Sequence, residues 1–280
     1  MPLVRTAELV TEARAAGTAV CAFNVITVEH AEAIAAGAES AGRPAILQIS
    51  ENAVKFHGAL APIAAAAKAV AAASSARLSL HLDHVESENL LRQAHAHDFT
   101  SVMFDASKLP YGDNVKATGE AVRWGHERDI WVEAELGRVG GKAGDAHTPG
   151  VRTDPAEAAA YVADTGVDAL AVAVGSTHAM TDRTAALDHA LIASLRDAVP
   201  VPLVLHGSSG VPDGELRRAV AAGMTKINVG TALNKAFTGA VRAFLEAHPS
   251  TTDPRKYLTP ARAAMTETVA GFLRTVSRRW

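Results

Sequence analysis

Short apolar runs alternate with longer helical stretches along almost the whole chain, and this alternation constrains the fold more than any other feature. Eight runs read as strands: residues 19–23, 45–49, 77–83, 101–105, 131–135, 169–174, 203–206 and 226–229. The stretches between them, 30–41, 62–73, 87–97, 115–127, 155–164, 187–198 and 215–222, carry apolar residues at helical spacing. Strands alternating with helices predict parallel βα units. Eight such units are the number that closes a TIM (β/α)8 barrel, which takes about 250 residues. The alternative is an open doubly wound sheet. It ranks lower because no GxGxxG opens the first helix.

At 280 residues the chain fits one barrel domain spanning 1–280, with extra helical pattern from Asp253 onward. Its 48% hydrophobic content is enough for a large core. The net charge of −3 comes without a run of either sign, so nothing predicts a nucleic-acid stripe or a polybasic membrane patch. No window offers the ~18 consecutive apolar residues of a membrane span. The N-terminal segment reads as an amphipathic helix rather than a signal peptide. The lone cysteine, Cys21, lies in an apolar run and reads as a buried small hydrophobe. With no disulfide framework to build, the expected location is the cytoplasm. One connection stands out. Residues 137–153 contain five glycines and follow the fifth strand, and they read as a mobile lid over the catalytic face.

In a TIM barrel, function gathers at the carboxyl ends of the strands. Three histidines fall there: His84 after the third strand, His178 after the sixth and His206 on the seventh. Three imidazoles from different strands leave an open coordination position, the pattern of a catalytic zinc. Nitrogen ligands favour zinc, with cobalt, iron or manganese as alternatives. Asp83 adjoins His84 and reads as a proton shuttle beside a metal-bound substrate, or else as an orienting partner for a histidine. His81 shares its face of the strand, either to orient the site or to pack the barrel interior. His95, His97, His126, His189 and His248 lie in helical patterns and read as surface residues. HGSSG at 206–210 and NVGTA at 228–232 follow strands seven and eight and run into helices. That is the recurrent phosphate site of these barrels, where backbone N–H groups and a helix N-terminus meet the anion.

HLDH at 81–84, SVMFDAS at 101–107, VEAELG at 132–137, AVAVGSTH at 171–178, PLVLHGSSG at 202–210, TKINVGTAL at 225–233 and DPRKYLTPAR at 253–262, with AFN at 22–24, together resemble the class II fructose-bisphosphate and tagatose-bisphosphate aldolases. The resemblance runs in order through nearly the whole chain. It implies reversible cleavage of a ketose 1,6-bisphosphate into dihydroxyacetone phosphate and an aldehyde phosphate. It also implies Zn2+ on His84, His178 and His206, with Asp105 and Glu135 at an alternative metal position. Asp83 matches the carboxylate that exchanges a proton with the C4 oxygen. Asn24, Ser50 and Asn228 match polar residues around the substrate. Gly207, Ser209 and Thr231 match the phosphate cradle, beside which the family also places a monovalent cation. Arg255 matches an arginine that crosses a homodimer interface to the second phosphate.

Three positions depart from the family. Ala143 replaces the loop glutamate that returns a proton to the dihydroxyacetone-phosphate half, leaving Asp145 or His147 to substitute. Ala179 replaces a glycine after the second histidine. Gly230 stands where fructose-specific members often carry aspartate and tagatose-type members a small residue. The alternatives follow from these departures. One is an aldolase for another phosphorylated sugar, such as 2-deoxy-5-keto-gluconate phosphate, and another is a metal-binding homologue with low turnover. A zinc hydrolase would carry an HxH pair on the first strand, which has no histidine. A Schiff-base aldolase would use Lys226.

Overall fold

The structure, a computed structural model, describes residues 3–136, 151–177 and 180–277. In chain order α1 (Thr6–Ala16) precedes β1 (Val20–Asn24), α2 (Val28–Ala41), β2 (Ala45–Ser50), the short α3 (Glu51–His57) and α4 (Leu60–Ala73). There follow β3 (Leu78–Val85), α5 (Glu88–Ala96), β4 (Ser101–Phe104), α6 (Tyr111–His126), β5 (Trp131–Leu136), α7 (Pro155–Thr165) and β6 (Ala169–Val172). The last units are α8 (His189–Ala198), β7 (Leu203–Leu205), α9 (Asp213–Ala222), β8 (Met224–Val229), α10 (Thr231–Ala247) and α11 (Pro254–Val276). All eight expected strands are present within a few residues of their expected bounds. The sheet is a closed barrel in sequential order, with β1 paired in parallel to β8 through Val20↔Lys226, Cys21↔Ile227 and Ala22↔Asn228. That pairing excludes the open sheet.

The strands alternate in chemistry as well as in direction. In LSLHLDHV of β3, Leu78, Leu80 and Leu82 face outward into the layer shared with the helices. Ser79, His81 and Asp83 are equally buried but take the opposite parity, toward the barrel interior. Glu133 and Glu135 on β5 and Lys226 and Asn228 on β8 repeat the pattern. The lower end of the interior is apolar. Leu9, Val10 and Ala13 of α1 cluster there with Val20, Ala22 and Ile46, so the N-terminal helix closes the barrel floor. Cys21 is buried in the main core, as expected.

Among the described residues no single helix is long and apolar enough to cross a membrane. The bent pair α3 and α4 belongs to the barrel, since Leu60, Ile63, Ala64, Ala67 and Ala71 of α4 are buried in its core. His95, His126 and His248 are exposed as expected, while His97 and His189 are half-buried, the latter on Glu215 at 2.8 Å. The segment expected to form a lid lies outside the described residues up to position 150. Its end is tied down at Thr153, whose hydroxyl donates to Leu136 O at 3.3 Å and accepts from Ala173 N at 2.8 Å. Thr153 therefore lies between the ends of β5 and β6.

Candidate metal centre and active site

Asp83 and His84 are sequence neighbours, and in a regular strand they would face opposite ways. The structure resolves this with an irregularity inside β3. The pairing with β4 runs Leu82↔Val102 and then Val85↔Phe104, so one extra residue is accommodated. His84 takes a positive φ of 50°, a conformation that is uncommon for any residue but glycine. The strand therefore continues through His84 to Val85, beyond the expected end at 83, and both side chains reach the same cavity. Gly207 on the facing loop has a φ of 70°, and a Cβ there would lie 2.5 Å from Thr177 O, so only glycine fits.

The donor atoms of Asp83, His84 and His206 all lie within 4.8 Å of one another. Each histidine is oriented from behind. His84 Nδ1–H donates to Asp105 Oδ2 at 2.8 Å, which turns Nε2 inward, 3.8 Å from Asp83 Oδ2. His206 Nε2–H donates to Glu133 Oε1 at 3.1 Å, and its Nδ1 lies 3.1 Å from Glu135 Oε2. A carboxylate behind a ligating imidazole fixes its tautomer and raises its basicity, the usual support of a metal-bound histidine. The residues present fit a divalent cation. Asp105 thus stands behind His84, while Glu135 stays beside the inward nitrogen of His206. His178, the third expected ligand, lies outside the described residues, as do Ala179, Ala143, Asp145 and His147.

The electrostatics follow from burial and charge. Burial disfavours protonation of His206, but the hydrogen bonds to Glu133 and Glu135 outweigh it and raise its pKa to about 9. Burial works against ionisation of Asp83, yet His84, His206, His81 and Lys226 hold it below the ordinary carboxylate range. Asp83 is therefore an ionised, buried base. Gln48 Nε2 donates to its Oδ2 at 3.0 Å, and its Oδ1 has no hydrogen-bond partner. His81 is fully buried, with Nδ1 on Ser101 Oγ at 2.8 Å. Burial first, and Lys226 second, push its pKa down to about 3. Neutral His81 thus packs the barrel interior, the second of the two roles expected of it, with its Nε2 3.9 Å from Asp83 Oδ1 and no hydrogen bond between them.

The cavity has a volume of about 520 Å3. Of the expected substrate residues, Asn24, Ser50, Gly207, Ser209, Asn228 and Thr231 line it together with Asp83 and His84. Ser50 also caps α3, accepting from Ala53 N at 3.2 Å, and Ser209 Oγ accepts from Ala232 N at 3.0 Å, joining the β7 and β8 loops. Arg255 does not reach this cavity within its own chain. It is exposed and bound to Asp253, with Nη2 to Oδ2 at 2.9 Å. Sequence reasoning missed Gln48, Glu51, Asn52, Lys55, Glu86, Lys108, Ser208 and Asn234 on the cavity wall. It also missed Glu133 below it. A polar residue at inward parity, as Gln48 in AILQIS or Glu133 in WVEAEL, was the available signal for two of them.

A closed (β/α)8 barrel whose strand ends bring together two supported histidines and an ionised aspartate defines a barrel protein with a candidate metal centre. The sequence profile of the family described as Fructose-bisphosphate aldolase class-II matches residues 4–278, and the chain belongs to that family, as a carbon–carbon lyase. Among solved structures, the chain is similar to the YdjI aldolase from Escherichia coli K12, with 30% identity, a TM-score of 0.85, and 98% of this chain and 97% of that chain covered. It is also similar to an inferred fructose-1,6-biphosphate aldolase from Coccidioides immitis, with 27% identity, a TM-score of 0.85, and 97% and 96% covered. Fructose-bisphosphate aldolase from Campylobacter jejuni shares the fold at 22% identity, with a TM-score of 0.81 and 98% and 95% covered.

Proposed function

We propose that the chain reversibly cleaves a ketose 1,6-bisphosphate of fructose or tagatose type to dihydroxyacetone phosphate and an aldehyde phosphate. The observation that carries this reading is the convergence of Asp83, His84 and His206, the first two of which line a cavity whose β7–β8 side carries Gly207, Ser209 and Thr231. The reading takes residues 1–280 as one domain, acting in the cytoplasm as a homodimer to which Arg255 contributes across the interface. Zn2+ is the metal, held by His84, His206 and His178, with Asp105 and Glu135 as the alternative position.

When bound, a divalent cation supplies Lewis-acid stabilisation of the charge left on the dihydroxyacetone-phosphate half as C3–C4 breaks. Asp83 takes the C4 hydroxyl proton, for which its partnerless Oδ1 is suited. Gln48 holds the other oxygen and also donates to Asn24 Oδ1 at 2.7 Å, fixing the carboxylate in one orientation. Asn228, whose Oδ1 accepts from Lys226 Nζ at 2.8 Å, has an unpartnered Nδ2 suited to a substrate oxygen. Gly207, Ser209 and Thr231 receive the phosphate at the N-terminal end of α10, with a monovalent cation beside it. Asp145 or His147 returns the second proton.

Gly230 favours the tagatose type, whose members carry a small residue at this position; a Cβ there would lie 3.0 Å from Asn24 Nδ2, and Asn24 would have to give by a few tenths of an ångström. Lys226 is a poor Schiff-base amine here. It is fully buried and bound to Glu133 Oε2 at 2.9 Å as well as to Asn228.

The test is a coupled cleavage assay with fructose and tagatose bisphosphates, before and after chelation and with zinc restored. Chelation is expected to abolish cleavage and zinc to restore it. Asp83→Asn is expected to lower kcat by about 10²–10⁴-fold while the protein still binds metal, and Asp145→Ala and His147→Ala identify the second proton donor. Full activity in the chelated enzyme would overturn the reading.

A further inference from the structure

The cavity is polarised along its length. Its β7–β8 wall carries Gly207, Ser209 and Thr231, and its opposite wall is built by residues that follow β2, β3 and β4. Among the described residues lining the cavity, the only lysines or arginines are Lys55 and Lys108, and both lie on that opposite wall. Lys55 sits on α3, three residues from Asn52, which lines the cavity on the same helical face. Lys108 follows β4.

Each lysine is held ready by a glutamate. Lys55 Nζ lies 2.8 Å from Glu51 Oε1, and Lys108 Nζ lies 2.8 Å from Glu86 Oε1. Glu51 is itself anchored, since its Oε2 accepts from Glu86 N at 2.7 Å and Ser87 N at 3.2 Å. The lysine side chains remain 63% and 48% exposed. Ion pairs this exposed contribute little to stability and rearrange at small cost. An ammonium has three donors, so one ion pair with a glutamate does not exhaust either lysine.

Resting on the aldol chemistry proposed above, we infer that Lys55 and Lys108 form a subsite, within a single chain, for an anionic group at the far end of the substrate. A substrate with its first phosphate at the β7–β8 wall and its C3–C4 bond beside Asp83 and His84 extends toward these two lysines. The shared chemistry is a terminal oxyanion, either a phosphate or a carboxylate. The subsite makes an acidic aldehyde half preferred over a neutral one, independently of Arg255.

The test uses uncleavable acyclic probes on the metal-loaded full chain: a hexitol monophosphate, the hexitol 1,6-bisphosphate and 6-phosphogluconate, titrated by calorimetry. Wild type is expected to bind the bisphosphate about 10-fold or more tighter than the monophosphate. A similar gain with 6-phosphogluconate assigns the subsite to carboxylates as well, and its absence to phosphates alone. The double variant Lys55→Met, Lys108→Met is expected to lose the gain while binding the monophosphate as wild type does. Both side chains are exposed, and a thermal melt confirms that the variant folds. A variant that keeps the gain, or a wild type that shows none with either of the probes anionic at both ends, overturns the subsite. If the gain is present and lost in the variant, but no ketose bisphosphate is cleaved, the subsite stands and the proposed reaction fails.

Discussion

His206 is held from behind at Nε2 by Glu133, with Glu135 beside its inward Nδ1, and Glu133 is also the partner of Lys226 at 2.9 Å. All three side chains are fully buried. Burial alone would raise the Glu133 pKa, but Lys226 and His206 hold it far below the ordinary carboxylate range. Glu133→Gln removes that charge and leaves the Lys226 ammonium buried with no counter-ion. A cost of about 3–5 kcal/mol is expected, measured by denaturant unfolding. Metal affinity, read by competition with a chelator, is expected to fall roughly 10–100-fold because the histidine loses its orienting partner. At this scale the sequence was legible in part. His84, His206 and Asp83 stood out as polar residues at strand ends. Glu133 did not, and Lys226 did so only as a Schiff-base candidate, because a charge inside an apolar strand declares its partner only once the strands are placed side by side.

At the scale of elements, two features escaped the sequence. One is the irregularity in β3. Nothing in LSLHLDHV distinguishes a strand that ends at Asp83 from one that bulges at His84, since the choice is stabilised by pairing with β4. The other is α3. Seven residues are too few for a helical apolar period, although Ser50 is a good N-cap and Gly58 ends the helix with a φ of 76°. Glu51 joins the two features by binding the backbone at Glu86 and Ser87 just past the bulge. Burial raises its pKa, and Lys55 with these two amides outweighs that and lowers it. Glu51→Gln is expected to cost about 1–3 kcal/mol at pH 7. The stabilisation is complete above the unfolded pKa of about 4.3 and is lost as pH falls through the lower folded value. Urea unfolding of both proteins should therefore show the difference at pH 7 shrinking below about pH 4.

At the scale of the molecule, the barrel is sealed by chain termini as much as by its own strands. The α1 helix fills the floor, and α11 lies across α2, ending with Val276 O accepting from Ala19 N at 3.1 Å. The α2–α11 contact is close because position 37 has no side chain. A Cβ there would lie 2.6 Å from Val269 Cβ and Cγ1 and 2.9 Å from Thr266 O. Gly37→Ala is expected to destabilise by about 1–3 kcal/mol despite the better helix propensity of alanine. Guanidinium unfolding checks it, with activity per folded molecule unchanged because the site is on another face.

The sequence by itself determined that eight βα units follow one another, and where the histidines, Asp83 and the phosphate loops fall along the chain. These are consequences of local periodicity and of glycine and serine chemistry within a few residues. Tertiary structure decided that β1 meets β8, that His84 turns to join Asp83, that Asp105 and Glu133 stand behind the histidines, and that Lys55 and Lys108 share one cavity wall. It also decided that Arg255 stays on the outside of its own chain. Each of these depends on side chains far apart in sequence, and closing the barrel is what brings them within hydrogen-bonding distance.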